Sequence, residues 1–332
     1  MKILALTPTR DDTTSFYRAA GIFRDLQRKL PGLQVDLHDF GKLPNITWSL
    51  LCQYDIVFLQ RPWNQLGMAK FLKEMGIPVW IDYDDNLFTI PQANQRAFDA
   101  FMTDEGVQRQ MVELGKIADV VTVSTIALKK VYDHLNQDVR VIPNALPFDL
   151  IGNPQDGPTK QALLWRGGDS HRMDLRVHEA GILQNMDKYQ EWEFVFAGYN
   201  PWQFVAKNKK YVKPQDPILY FSWLKNFGPR AMQVPLVNNL FNHCKSNIAA
   251  LEGTFAGAVC LVPDWDEWQI PGTIRYTSCE DYGEKLDQLL KGGFSYNKYR
   301  GQALDYIREN YDLAKVNTHR ANLVEELMER RV

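Results

Sequence analysis

Short apolar runs bounded by turn residues alternate along the chain with longer stretches whose apolar positions recur every three or four residues. In the first half the short runs are Ile3–Leu6, Gln34–Leu37, Ile56–Leu59, Val79–Ile81, Val120–Val123 and Val139–Ile142. Runs this short and nearly continuous predict strands buried on both faces, as in a parallel sheet. The amphipathic stretches Phe16–Leu30, Met68–Met75, Gln108–Ile117 and Ala127–Leu135 predict the crossover helices between them. The alternation stops after Val141-Ile142-Pro143-Asn144, and the segment to Pro158 is rich in Pro, Gly, Asn and Asp, which reads as a linker.

The pattern then restarts. Ala162–Trp165, Glu193–Ala197, Ile218–Phe221 and Val259–Val262 read as strands, with helices near Asp174–Gln184, Asn247–Ala256, Tyr282–Leu290 and Tyr296–Tyr311. The fold class is therefore α/β, with two doubly wound units. The expected division is a first domain over residues 1–145, a linker over 146–158, a second domain over 159–310, and a charged terminal helix over 311–332 that packs back on the first domain. Two such units facing each other bring the carboxyl ends of both sheets to one crevice.

Composition narrows the partners. A length of 332 residues suits two domains. Lys plus Arg number 38 against 40 Asp plus Glu, a net charge of −2, so no global field favours nucleic acid or an anionic membrane. The four cysteines, Cys52, Cys244, Cys260 and Cys279, show neither CxxC spacing nor a neighbouring His at metal-ligand spacing, which points to reduced thiols in a cytoplasmic protein. The opening Met1–Arg10 reads as a first strand rather than a leader, and no run approaches the roughly 20 apolar residues of a membrane span. Any membrane attachment would be peripheral, and nothing in the sequence indicates an oligomeric state.

Two segments carry chemistry. In Leu164–Leu175 a strand leads through Arg166, Gly167 and Gly168 towards a helix, with His171 and Arg172 beside its start. Glycines let a backbone approach a ligand, N–H groups at a helix start attract anions, and the basic side chains suit a diphosphate. A plain glycine turn with solvated charges is the alternative. Neither GxGxxG nor GxxxxGK[ST] is present in this segment. In Pro235–Val262 a loop bearing Lys245, Ser246 and Asn247 opens an apolar helix that contains one carboxylate, Glu252. An acid on a helix packed against a sheet needs a partner, which a pair of ligand hydroxyls would supply. Otherwise it lies at a solvated helix edge.

These residues resemble retaining glycosyltransferases of the GT-B fold, of the type grouped as glycosyltransferase family 4. The family string G-R-x4-K-G-x-D is similar to Trp165-Arg166 followed by His171-Arg172-Met173-Asp174, with His171 at the Lys position. The family's E-x7-E segment matches at Glu252, Gly257 and Val259, but its first Glu falls on Cys244. The string PLxxNxFNxxKSNIxxLE resembles a subset of members that carry Lys-Ser there. Thr14–Arg18, Pro78–Phe88, Ala118–Thr125 and Val141–Ala145 resemble first-domain strings of the same fold.

The resemblance implies two facing Rossmann-like domains with an interdomain cleft, and a nucleoside diphosphate sugar, in the first place a UDP-sugar, as co-substrate. It implies the diphosphate at Arg166, His171, Arg172 and Lys245, over the Gly167-Gly168 backbone. The sugar would lie at Ser246 and Asn247 and the ribose at Glu252. The base would lie near Tyr220, Ser222 and Trp223, at the end of the Ile218–Phe221 strand. Tyr17 and Arg18 would border the acceptor.

Asp82, Asp84 and Asp85 place three carboxylates within four residues, and strand alternation puts Asp82 and Asp84 on one side. Asp84 or Asp85 is expected to take or orient the proton of the acceptor hydroxyl. A water-facing acidic loop is the alternative. No obligatory metal is expected, although a Mg²⁺ in this acidic cluster would suit its charge. The run Lys207–Lys213 would grip a polyanion or sit as a solvated loop.

The leading expectation is a hexosyl- or pentosyltransferase that retains anomeric configuration and acts on a glycan precursor. Its rivals are a viral enzyme that glycosylates hydroxymethylated pyrimidines in DNA, and a non-catalytic nucleotide-sugar-binding protein, suggested by Cys244. A nicotinamide enzyme is disfavoured because no glycine fingerprint follows Leu6.

Overall fold

A computed structural model describes residues 1–42 and 47–331. It contains two six-stranded, wholly parallel sheets. The first comprises β1 (Lys2–Thr7), β2 (Gln34–Asp39), β3 (Ile56–Gln60), β4 (Val79–Tyr83), β5 (Val120–Val123) and β6 (Val139–Val141), in the order β2-β1-β3-β4-β5-β6. All six of its strands lie where the apolar runs put them. Every residue of β3, β4 and β5 is buried, the reason those strands read as unbroken apolar runs.

The second sheet comprises β7 (Lys160–Gly167), β8 (Glu193–Gly198), β9 (Lys209–Val212), β10 (Pro229–Gln233), β11 (Val259–Pro263) and β12 (Ile274–Tyr276), in the order β12-β11-β10-β7-β8-β9. Here the structure corrects the sequence reading. Ile218–Phe221 is not a strand but part of a helix spanning Pro217–Phe227. Asp216 caps that helix by accepting from the Ile218 N–H, Pro217 occupies its first turn, and Gly228 ends it with φ +52°. Lys209–Val212, expected as loop, is an edge strand whose lysines leave an edge unattractive for further pairing.

Four helices position the site. Helix α1 (Gly21–Lys29) follows a π-helical turn over Phe16–Ala20, α2 is Pro217–Phe227, α3 is Ile248–Phe255 and α4 is Leu313–Glu329. Although α4 is last in the chain, it packs on α1 of the first sheet's half. Asn317 donates to the Ile22 carbonyl at 2.8 Å and to Asp25 at 2.9 Å, and Leu323, Val324 and Leu327 share a core with Ile3, Phe23 and Phe58. The two chain crossings between the halves run side by side: Leu146 N–H donates to the Tyr311 carbonyl and Leu313 N–H to the Leu146 carbonyl. Among the described residues no helix is long and apolar enough to cross a membrane.

Candidate functional site

The carboxyl ends of the two sheets border one cleft of about 850 Å³. On the second half the ends of β7 and β8 are nearly bare. Gly198 has φ +100°, and a Cβ there would strike the Gly167 carbonyl, while a Cβ on Gly167 would sit 2.7 Å from the Trp165 ring. Only glycine allows both strand ends to close this tightly, which leaves backbone facing the cleft.

Glu252 projects from α3. Its neighbour Gly253 lets that helix lie directly on the sheet, since a Cβ there would come within 2.6 Å of Cys260 Sγ and 2.7 Å of Met232 Sδ. The carboxylate is 1% exposed yet fully engaged. Oε1 accepts from the Tyr17 hydroxyl at 2.6 Å, Oε2 accepts from Tyr220 at 3.1 Å, and Arg166 Nε lies 2.7 Å from Oε2. Although that last contact joins opposite charges, its N–H is poorly aimed, so Arg166 Nε and Nη2 remain buried without hydrogen-bond acceptors. Burial first, and the Glu252 charge second, push the phenols of Tyr17 and Tyr220 well above their ordinary range and keep them as donors.

His171 lines the same wall, its Nδ1 2.8 Å from Asp174 Oδ2. Burial outweighs that carboxylate and lowers the imidazole pKa, so His171 is neutral at pH 7 and not the fixed cation the sequence suggested. Arg172 is exposed and lies outside the cleft lining.

The Phe241–Ser246 segment crosses to the other half. Phe241 and Cys244 belong to the first half's core, Thr125 Oγ1 donates to the Cys244 carbonyl at 3.0 Å, and Asn144 Nδ2 donates to Ser246 Oγ at 2.8 Å. Lys245 Nζ lies 3.3 Å from Asp85 Oδ1. Cys244, at the resemblance's missing Glu, is 1% exposed and turned into that core. Asn247 is 1% exposed, with its amide donating to the Glu267 carbonyl and the Tyr311 hydroxyl, so its side chain does not face the cleft. Tyr220 lines the cleft from α2, whereas Ser222 is exposed and Trp223 stacks on Phe227, ring planes 9° apart. Neither of the last two lines the cleft.

On the first half the three aspartates do not converge. Asp82 is fully buried in a two-point pair with Arg18, at 2.9 and 2.6 Å, and accepts from Thr122 at 2.6 Å. Arg18 also donates to the Ile142 carbonyl and Asn144. It is wholly buried, a brace inside the first half rather than a cleft-border residue. Asp85 faces Lys245, and Asp84 faces Arg61, 3.6 Å away. Because each carboxylate meets its own cation, they do not fit a shared Mg²⁺. Among the described residues no cluster of three or more His, Cys, Asp or Glu could hold a metal. Burial pushes Asp84 up to about 6, against the pull of Arg61 and with the help of Asp85 and Asp82.

Arg61 and Asp12 also line the cleft and carry no sequence signal beyond lying next to strand ends. Asn144 was in view within Ile142-Pro143-Asn144 but had no chemistry until Ser246 was placed beside it. Of the lysine run, Lys213 reaches the cleft, while Lys210 pairs with Glu193 and Lys209 donates to the Pro201 carbonyl.

No family profile and no curated protein matches the chain. Solved structures do. HepE from Anabaena, determined with UDP and glucose, superimposes with a TM-score of 0.71 at 10% identity, covering 98% of this chain and 100% of that one. The UDP-GlcNAc 2-epimerase of Neisseria meningitidis, bound to UDP-GlcNAc, gives 0.61 at 14% identity over 98% and 100%. A UDP-forming trehalose-phosphate synthase from Burkholderia xenovorans gives 0.57 at 12% identity over 84% and 76%. At these identities the likeness establishes the architecture: this chain is a GT-B protein, glycosyltransferase-like in fold.

Proposed function

We propose that the protein is a glycosyltransferase that moves a sugar from a nucleoside diphosphate sugar, a UDP-sugar in the first instance, to the hydroxyl of a glycan precursor with retention. What carries this reading is the asymmetry of the single cleft. Arg166 and Glu252 line its second-half side, Asp84 with Arg61 line the other, and Lys245 stands between them, paired with Asp85. The GT-B fold is shared with proteins solved with UDP or UDP-sugar bound, which supports the donor class.

In this reading Arg166 and Lys245 neutralise the departing diphosphate, and Glu252 takes the ribose hydroxyls in exchange for tyrosine donors. The bond from sugar C1 to the diphosphate oxygen breaks, the acceptor oxygen bonds to C1 on the same face, and its proton passes to Asp84 or the leaving phosphate. Closure of the two halves would exclude water and limit donor hydrolysis. The lysine run favours a glycan over DNA, since Lys210 pairs with Glu193 and Lys209 donates to the Pro201 carbonyl at an edge strand.

The test is a thermal-shift panel of nucleoside diphosphates and their sugars on the wild type, Glu252→Ala and Arg166→Ala, followed by product analysis of the stabilising donor. UDP-dependent stabilisation lost in both variants, with UDP release accelerated by a glycan pool, is the expected result. No stabilisation by any nucleotide would overturn the donor assignment. Epimerisation of the donor sugar without an acceptor would replace transfer by isomerisation.

A further inference from the structure

Eleven large hydrophobic side chains stand exposed among the described residues, and five of them fall between Trp202 and Leu219. The two most exposed are near neighbours in one loop, Trp202 at 76% and Val205 at 88%. Apolar residues exposed singly are ordinary, whereas a cluster of them marks a contact surface. The loop joins β8 to β9 and is firmly held. Its turn closes where the Phe204 N–H donates to the Pro201 carbonyl at 3.0 Å, and the Phe204 ring, 1% exposed, packs on Phe196. Lys209 Nζ donates to the same Pro201 carbonyl, and the Tyr211 hydroxyl donates to the Gly198 carbonyl at 3.3 Å, so the loop is strapped along the edge strand. With Phe204 turned inward, Trp202 and Val205 are presented to solvent by an anchored backbone.

The charge of this segment departs from that of the chain. From Gly198 to Gln215 there are four lysines and no acid, in a protein of net charge −2. Lys209 is committed to the loop and Lys210 to Glu193, but Lys207 and Lys213, exposed on either side of β9, have no ion-pair partner among the described residues. Of the flanking acids Glu193 answers Lys210 and Asp216 caps α2, which leaves Glu191 uncommitted. Apolar tips flanked by free ammonium groups suit the surface of an anionic bilayer, where an indole and a valine enter the boundary between headgroups and acyl chains and lysines stay with the lipid phosphates. A nucleic acid would use the lysines but leave Val205 without a partner. We propose that the β8–β9 loop and the β9 edge form a docking surface for an anionic membrane, with Trp202 and Val205 inserted and Lys207 and Lys213 at the phosphates. Two apolar side chains and two lysines make the attachment reversible. The surface is independent of the cleft chemistry, although Lys213, Pro214 and Gln215 also line the cleft, so docking sets the cleft mouth beside the lipid.

The test is co-sedimentation of the full chain with vesicles of phosphatidylglycerol and phosphatidylcholine, against vesicles of phosphatidylcholine alone, at low and high salt. The wild type should partition onto the anionic vesicles and come off as salt rises. Replacing both Trp202 and Val205 with Ser should weaken partitioning at least about tenfold, the loss expected for one well-buried apolar side chain. Replacing both Lys207 and Lys213 with Gln should weaken it about ten- to thirtyfold at low salt, about fivefold for each lysine. Melting midpoints of both double variants should match the wild type, because all four side chains are exposed. Trp202→Phe should keep binding within a few fold but lose the blue shift of tryptophan emission that anionic vesicles induce. No sedimentation with anionic vesicles, equal binding to neutral ones, or full binding by either double variant would overturn the proposal. So would a blue shift that survives in Trp202→Phe, which would put another face on the bilayer. A concentration-dependent dimer abolished by the Ser variant, or tighter retention on duplex DNA than on vesicles, would replace the membrane with a second copy or a nucleic acid.

Discussion

Tyr17→Phe removes one oxygen from the seam between the two halves, and its effect follows from where that oxygen lies. The hydroxyl is the hydrogen-bond donor to Glu252 Oε1, at 2.6 Å, whereas Tyr220 and Arg166 both address Oε2. The substitution leaves one oxygen of a 1% exposed carboxylate without its donor. Losing a hydrogen bond to a charged acceptor costs about 1.5–3 kcal/mol. Unfolding entropy of about 2.1 cal/mol/K per residue, over 332 residues, gives about 0.7 kcal/mol/K, so the melting midpoint should fall by about 2–4 °C. Nucleotide binding should move the other way. If ribose hydroxyls need Glu252, Tyr17 competes for the same lone pairs, and freeing Oε1 should tighten UDP binding, up to about tenfold for 1.4 kcal/mol of released competition. Fluorimetric melting with a UDP titration on wild type, Tyr17→Phe and Glu252→Ala measures both effects. An unchanged midpoint without nucleotide would refute the stability argument. Weaker UDP binding, as in Glu252→Ala, would show that Tyr17 helps to hold the nucleotide.

Two further outcomes are specific. Arg18→Met strands Asp82, which is fully buried, and should destabilise the protein by about 3–5 kcal/mol in urea unfolding; a change in acceptor KM without loss of stability would return Arg18 to the cleft border. Glu267 is pushed up to about 8 by burial, so the folded state prefers it protonated. Stability from this group is therefore complete below about pH 4.5 and lost as pH rises through about 8. Glu267→Gln removes the titration, and its advantage over the wild type should grow across that window to about 3 kcal/mol near pH 7. A pH-independent difference in urea midpoints would contradict the burial argument.

The first sheet was legible because its strands are buried on both faces and leave unbroken apolar runs. The second sheet was not, because physical position and apolar content diverge there. β10 lies at the centre of that sheet yet reads Pro229-Arg230-Ala231-Met232-Gln233, and β9 carries lysines because it is an edge. Ile218–Phe221 is apolar enough for a strand, but Asp216-Pro217 before it and Gly228 after it are helix punctuation that outweighs the run. In the site, residues at strand ends and helix starts, such as Arg166, Gly167, Lys245 and Glu252, were visible from spacing, and the structure gathers them in the cleft. Arg18 and Asn247 were misplaced because a polar residue near a motif can serve the interior as readily as the ligand. Arg61 was invisible: what sets it apart is a positive φ of +47°, a backbone angle that a sequence does not display.

The seating of Phe241–Ser246 changes what opening the cleft would mean. By chain order this segment belongs to the second half, but Phe241, Cys244, Lys245 and Ser246 are moored to the first by core packing, an ion pair and Asn144. The next residue, Asn247, is tied back to Glu267 and Tyr311 of the second half. The mechanical seam therefore cuts through this segment, whose Asn242 donates to Asp174 and whose His243 stacks on Trp265 of the second half, and not through the inter-sheet linker alone. A rotation about the paired crossings at Leu146 and Leu313 would draw Lys245 away from Glu252 while each stayed fixed to its own body. On the proposed reading the donor pocket would then be assembled by closure, so that its full set of contacts exists only when the acceptor wall is also in place.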